Sequence, residues 1–224
     1  MAAGCSDRSN NPMMSNMIAI VDYEAGNLTS VARAVAHIGY RCAVTQNIDE
    51  IQNADRIIFP GVGAAGAAME SLRRLGLYHA LARAFADGKP ILGICLGTQV
   101  IMGFSEEDQT PCLGLIPGTV RAFKKICDSD GSRLKIPHMG WNSIQARSAH
   151  PVLADVRDTD EFYFVHGYYP DPDVDRHILA LTEYGIPFAS VIGERNLIAT
   201  QFHPEKSGRP GLKILENFCT WQPC

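Results

Sequence analysis

Cys95 sits in the run Gly93-Ile94-Cys95-Leu96-Gly97, and His203-Pro204-Glu205 lies far downstream. A thiol, an imidazole and a carboxylate are the parts of a nucleophile, a general base and the group that orients the base. G-x-C-x-G directly after an apolar strand is the thiol form of a nucleophile elbow, a strand-to-helix turn so sharp that flanking glycines must remove Cβ atoms. Such a turn presents the sulfur at the edge of a sheet. It also aims the N–H of Leu96 at the place where a carbonyl oxygen gains charge during attack, giving half of an oxyanion hole. Pro60-Gly61-Val62-Gly63 follows another apolar strand and can supply the other half. His203 can take the thiol proton and later pass one to a leaving amine, and Glu205 can hold the imidazole tautomer.

The other histidines are weaker candidates. His37 and His79 fall in helical patterns, and His150 and His177 in loops beside prolines or charges. His138 and His166 flank apolar strands and could line the site, although a structural role is the ordinary expectation there. The seven cysteines are odd in number and scattered, with no C-x-x-C pair, so neither a disulfide framework nor a zinc site is expected. No cofactor or metal is expected, and only Cys95 receives a chemical role.

These side chains need elements to carry them. Short β-branched runs at 17–21, 41–45, 56–59 and 90–94 alternate with helical patterns at 27–38, 64–75, 78–86 and 96–104. Near-continuous apolar strands alternating with helices predict a parallel sheet covered on both faces. After Pro111 the pattern changes to short strands at 120–123, 140–144, 162–165, 178–182, 189–192 and 198–202, closed by a helix over 211–220. The expected fold class is α/β, an open, mostly parallel, flavodoxin-like sheet flanked by helices, with an antiparallel extension from the second half. One domain is expected over 17–224, preceded by a loose extension at 1–16.

Composition sets the outer bounds. The chain has 224 residues, 46% of them apolar and 20% charged, with a formal net charge of −4. That is enough apolar material for a sizeable core, and it offers no basic field for nucleic acid. No run approaches a membrane span, residues 1–16 carry no apolar signal region, and the thiols suit a reducing compartment, so a cytoplasmic protein is expected.

Gly93-Ile94-Cys95-Leu96-Gly97 with Gln201-Phe202-His203-Pro204-Glu205-Lys206-Ser207 resembles the class I, triad-type glutamine amidotransferases. The runs at 23–28, 59–63, 136–142 and 163–169 are similar to one branch of that class, the glutaminase subunits of imidazole glycerol phosphate synthases. The similarity spans residue 17 to the C-terminus, and Pro137-His138-Met139-Gly140-Trp141-Asn142 is its most specific part. The resemblance implies that L-glutamine is hydrolysed through a γ-glutamyl thioester on Cys95, with His203 and Glu205 completing the triad. Val62, Gly63 and Leu96 would hold the oxyanions, and Gln99, Glu107, Gly167 and Tyr168 would bind glutamine. It further implies a (β/α)8-barrel cyclase partner that takes the ammonia into histidine biosynthesis, with Asn27, Met139, Trp141, Tyr163 and Lys206 near the shared face. Gly167 stands where the family more often has Ser or Thr, and Glu24-Ala25 replaces a commoner glycine-containing pair. A glutaminase of pyridoxal phosphate or purine synthesis is the alternative within the class, against which the run at 137–142 argues. A non-catalytic module on the same scaffold would not need the three triad residues.

Overall fold

The chain alternates strand and helix through its first half: β1 (Met17–Val21), α1 (Leu28–His37), β2 (Arg41–Thr45), α2 (Ile48–Asn53), β3 (Arg56–Gly61), α3 (Ala65–Arg74), α4 (Leu77–Ala86), β4 (Ile91–Cys95) and α5 (Leu96–Val100). Strands then dominate: β5 (Met102–Ser105), β6 (Thr110–Pro111), β7 (Ile116–Ala122), β8 (His138–Ser143), β9 (Gln145–Ala146), β10 (Glu161–His166), β11 (Tyr168–Pro172), β12 (Ile178–Glu183), β13 (Pro187–Glu194) and β14 (Leu197–Thr200), before the closing helix α6 (Gly208–Thr220). The structure, a computed structural model, describes residues 17–124, 126–127 and 131–223. The extension expected at 1–16, with Cys5, and also Cys224 lie outside the described residues.

The main sheet has the order β2-β1-β3-β4-β14-β13-β12-β9. Its first five strands are parallel and its last three antiparallel, so that a mostly parallel sheet carries an antiparallel extension, as expected. Alternate side chains of each strand point to opposite faces. Ile18 and Ile20 of β1, with Ile58, Leu92 and Ile94, meet Val31 and Val35 of α1 and Ile214, Leu215 and Phe218 of α6. Ala19, Val21, Ile57 and Phe59 meet Met69 and Leu72 of α3 and Leu77 and Leu81 of α4. Full burial of each large aliphatic side chain contributes about 1.5–3 kcal/mol, so two continuous cores hold the strand ends rigidly in place.

Three details differ from the sequence reading. The helix expected over 96–104 stops at Val100, and β5 follows it to pair with β7. An apolar run that short suits helix or strand equally, and pairing with a later segment decides. The segment expected at 198–202 is not part of the antiparallel extension but lies parallel beside β4, with Thr200 opposite Ile94. The remaining strands form two further sheets, β11-β7-β5-β6 and β10-β8.

Candidate active site

β4 runs directly into α5, and Cys95 at the junction has φ 53° and ψ −105°. A non-glycine residue at such a φ is strained, and the strain is held by packing on both sides. A Cβ on Gly97 would stand 1.8 Å from the carbonyl oxygen of Phe59, and one on Gly93 would stand 2.8 Å from the Cβ of Ala199. The two glycines therefore let β3 and β14 close on the elbow. Gly61 at the end of β3 is the register partner of Cys95, which sets the Val62-Gly63 loop beside the sulfur.

β14 ends next to β4, and the chain turns at His203. His203 N–H donates to the carbonyl of Tyr163 on β10 at 2.9 Å. The Ser207 hydroxyl donates to the His203 carbonyl at 2.6 Å and accepts the Tyr163 N–H at 3.0 Å. These bonds fix the imidazole, whose side chain is fully buried, as is that of Glu205. His203 Nδ1 and Glu205 Oε1 are 2.7 Å apart. Asn27 Nδ2 donates to the same carboxylate oxygen and lies 3.4 Å from Nδ1. The other ring nitrogen, Nε2, has no aligned partner and is left for the thiol of Cys95. Burial of the ring opposes its protonation. Hydrogen bonding and charge from Cys95 and Glu205 outweigh that and push the imidazole up to about 9. The sulfur also accepts a long contact from Gln201 Nε2 at 3.9 Å.

The thiol opens into a cavity of about 320 Å³. Its lining includes Val62, Gly63, Leu96, Gln99, Glu107, Gly167 and Tyr168, so all of the expected oxyanion and substrate positions share one space with Cys95. Two of them also brace the site. Gln99 Nε2 donates to the Tyr168 carbonyl at 3.1 Å and to Gln201 Oε1 at 3.3 Å. Glu107 Oε2 accepts the Ala65 N–H at 2.7 Å, at the start of α3, where no side chain of the preceding residue caps the helix. Gly167 has room: an added Cβ would meet only Ile136, at 3.8 Å.

The expected partner positions form an exposed patch beside the triad. Met139 is 63% and Trp141 54% exposed, which excludes a core role for either. The Trp141 and Tyr163 rings meet edge-on at 5.9 Å, and Lys206 Nζ stands 5.9 Å from the Tyr163 ring centre. Asn27, placed with this group from the sequence, hydrogen-bonds the triad carboxylate instead of standing free. Neither Gln201 nor Tyr23 has a role expected from the sequence. Gln201 is fully buried against the sulfur, and its place two residues before His203 was the available signal. The Tyr23 hydroxyl is buried without a partner beside Gly61, and burial followed by the nearby Cys95 charge raises its pKa. Two other buried thiols, Cys112 and Cys219, are pushed up by burial to about 11 and about 12, which makes them unreactive beside Cys95.

The family described as "Glutamine amidotransferase class-I" matches residues 19–221. The chain is 48% identical over 203 residues to "Imidazole glycerol phosphate synthase subunit HisH" of Nitratidesulfovibrio vulgaris (strain DP4), covering 90% of this chain and 95% of that one. It is 44% identical over 210 residues to "Imidazole glycerol phosphate synthase subunit HisH 1" of Pseudomonas aeruginosa, covering 93% and 98%. A solved structure described as PurLQS from Thermotoga maritima superposes with a TM-score of 0.67 at 17% identity, covering 92% of this chain and 98% of that one, a likeness of fold. The chain therefore belongs to the class I glutamine amidotransferases, in the family of the imidazole glycerol phosphate synthase HisH subunits.

Proposed function

We propose that this chain is the glutaminase half of a two-subunit imidazole glycerol phosphate synthase, with Cys95 as nucleophile and a (β/α)8-barrel cyclase as partner. One observation carries the reading: a strained thiol at a strand end interacts with an imidazole whose Nδ1 is 2.7 Å from a buried carboxylate. The Cys95 proton passes to His203, and the sulfur attacks the side-chain amide carbon of L-glutamine. The carbonyl π pair moves onto oxygen, where the N–H groups of Leu96 and of the Val62-Gly63 loop receive it. The oxyanion collapses, the C–N bond breaks, and the imidazolium gives its proton to the departing nitrogen, releasing ammonia. Water, deprotonated by His203, then attacks the γ-glutamyl thioester. The C–S bond breaks, glutamate leaves and the sulfur is restored.

Glu107 is chemically suited to the α-ammonium of glutamine, and the backbone at Gly167-Tyr168 to its far end. The exposed Met139, Trp141 and Lys206, with the half-buried Tyr163 between them, suit a docking face that surrounds the sulfur side of the sheet, so that ammonia reaches its acceptor before bulk water protonates it. Hydrolysis without a waiting acceptor wastes glutamine, and low activity without the partner follows. Among the described residues no helix is long and apolar enough to cross a membrane, and a cytoplasmic site of action suits the reading.

The test is ammonia release with and without the barrel cyclase and its nucleotide substrate. Cys95→Ala abolishes glutamine-dependent turnover while the complex still cyclises when free ammonia is supplied. Undiminished glutamine-dependent turnover in that variant would remove Cys95 from the mechanism.

A further inference from the structure

His138 and His166 take no part in the chemistry above, yet an unbroken line of hydrogen bonds joins them to it. Both are buried, at 3% and 5% exposure, in a box of aromatic rings. His138 stacks between Tyr184 and Phe164 at 4.0 and 4.8 Å, and His166 packs on Phe188 and Phe123 at 5.2 and 5.4 Å. His166 Nδ1 lies 2.8 Å from the Tyr168 carbonyl oxygen, and its Nε2 lies 3.1 Å from His138 Nδ1. His138 Nε2 lies 3.5 Å from Asn142 Nδ2, whose amide also donates to the Glu183 carbonyl at 2.9 Å.

Every proton in this line is determined from one end. A carbonyl oxygen only accepts, so His166 Nδ1 carries hydrogen. Burial holds both rings neutral, down to about 4 for His138 and about 3 for His166. A neutral ring with hydrogen on Nδ1 has a bare Nε2, so His138 must donate to it from its own Nδ1, and its Nε2 accepts from Asn142. The Tyr168 carbonyl also accepts from Gln99, which reaches Gln201, which reaches the Cys95 sulfur. One end of the line is the β8 strand that carries the exposed Met139 and Trp141, and the other is the peptide bordering the cavity.

We propose that His138 and His166 are positioning residues: a proton-ordered pair of imidazoles that locks the Tyr168 peptide for glutamine and ties its orientation to the exposed strand β8. The proposal rests on the glutaminase reading for its substrate, and on hydrogen-bond geometry together with burial of both rings for its proton order. His166 also borders the cavity, and the pair acts on glutamine through the Tyr168 peptide.

Two experiments test it. Imidazole ¹⁵N NMR of the wild-type protein reads the tautomers, and both rings are expected to show Nδ1–H with a bare Nε2 at neutral pH. An Nε2–H tautomer or a charged ring at either position overturns the proposal, and this reading needs no variant to fold. In complex with the cyclase, His138→Phe and His166→Phe fill the aromatic box and break the line. Each is expected to raise KM for glutamine about tenfold, the size of one lost buried hydrogen bond, with kcat changed less than about threefold. His138→Asn and His166→Asn, which return an N–H near the Nδ1 position, restore most of the KM. Unchanged KM in the Phe variants, or loss in kcat alone, overturns it. Absence of glutamine hydrolysis by the wild-type complex would sink the functional reading instead, and the tautomers would still decide the proton order.

Discussion

Glu205 offers only one oxygen to its neighbours. Oε1 meets both His203 and Asn27, whereas Oε2 is buried without a partner. An unpaired buried carboxylate oxygen costs free energy, so this geometry is kept for what it does to the imidazole. The carboxylate holds Nδ1 protonated and leaves Nε2 to face sulfur. Glu205→Gln keeps the shape but removes the charge, and its amide can present a donor where an acceptor is needed. The expected result is a fall in kcat of about 10²–10⁴ with little change in KM for glutamine, measured as ammonia release by the complex. A variant with wild-type kcat would show that the imidazole does not need its orienter. Cys95, His203 and Glu205 are legible in the sequence as candidates, because their types and turn residues suit a nucleophile, a base and its orienter, and the fold brings the three side chains together. Asn27 and Gln201 were not, because an amide that braces a triad has no spacing rule of its own. Their roles follow from the side-by-side placement of strand ends that lie far apart along the chain.

The elbow is a property of three strands and one short helix together. Gly97 lets the first turn of α5 rest on β3, and a Cβ there would collide with a backbone oxygen that cannot move without shifting β3. Overpacking of this kind costs about 1–3 kcal/mol or more. Gly97→Ala is expected to lower the denaturation midpoint by that amount and to cut glutaminase activity further than the stability loss explains, because the Phe59 carbonyl lies just before the Val62-Gly63 loop. Gly167→Ala, with nothing closer than 3.8 Å, serves as the control and leaves stability unchanged or slightly raised. Equal effects at the two glycines would contradict the packing argument. The parallel half of the sheet was readable from alternating apolar runs, since strands buried on both faces leave a plain signal. The helix end at Val100 and the two small sheets were not. They depend on pairings between β5 and β7, and between β8 and β10, that local periodicity does not contain.

Across the whole molecule, buried histidines give stability a two-sided pH dependence. His203 is raised from its ordinary 6.5 to about 9, so the folded state binds this proton more tightly than the unfolded chain. Its contribution is complete below about pH 6.5 and is lost as pH rises through 9. His138 and His166 are depressed to about 4 and about 3, so their contribution is complete above pH 6.5 and is lost as pH falls toward those values. Denaturant midpoints measured from pH 4 to pH 10 should therefore fall on both sides of neutrality. His203→Gln should flatten the alkaline limb and His138→Asn the acid limb, and limbs unchanged by these substitutions would assign the dependence to other groups. The sulfur of Cys95 decides the mechanism. Acid quenching of the complex during glutamine turnover, followed by mass mapping of the peptides, should find a γ-glutamyl group on the peptide containing Cys95 and none in Cys95→Ala. A glutamyl adduct on another residue, or steady turnover with Cys95 replaced, would contradict it.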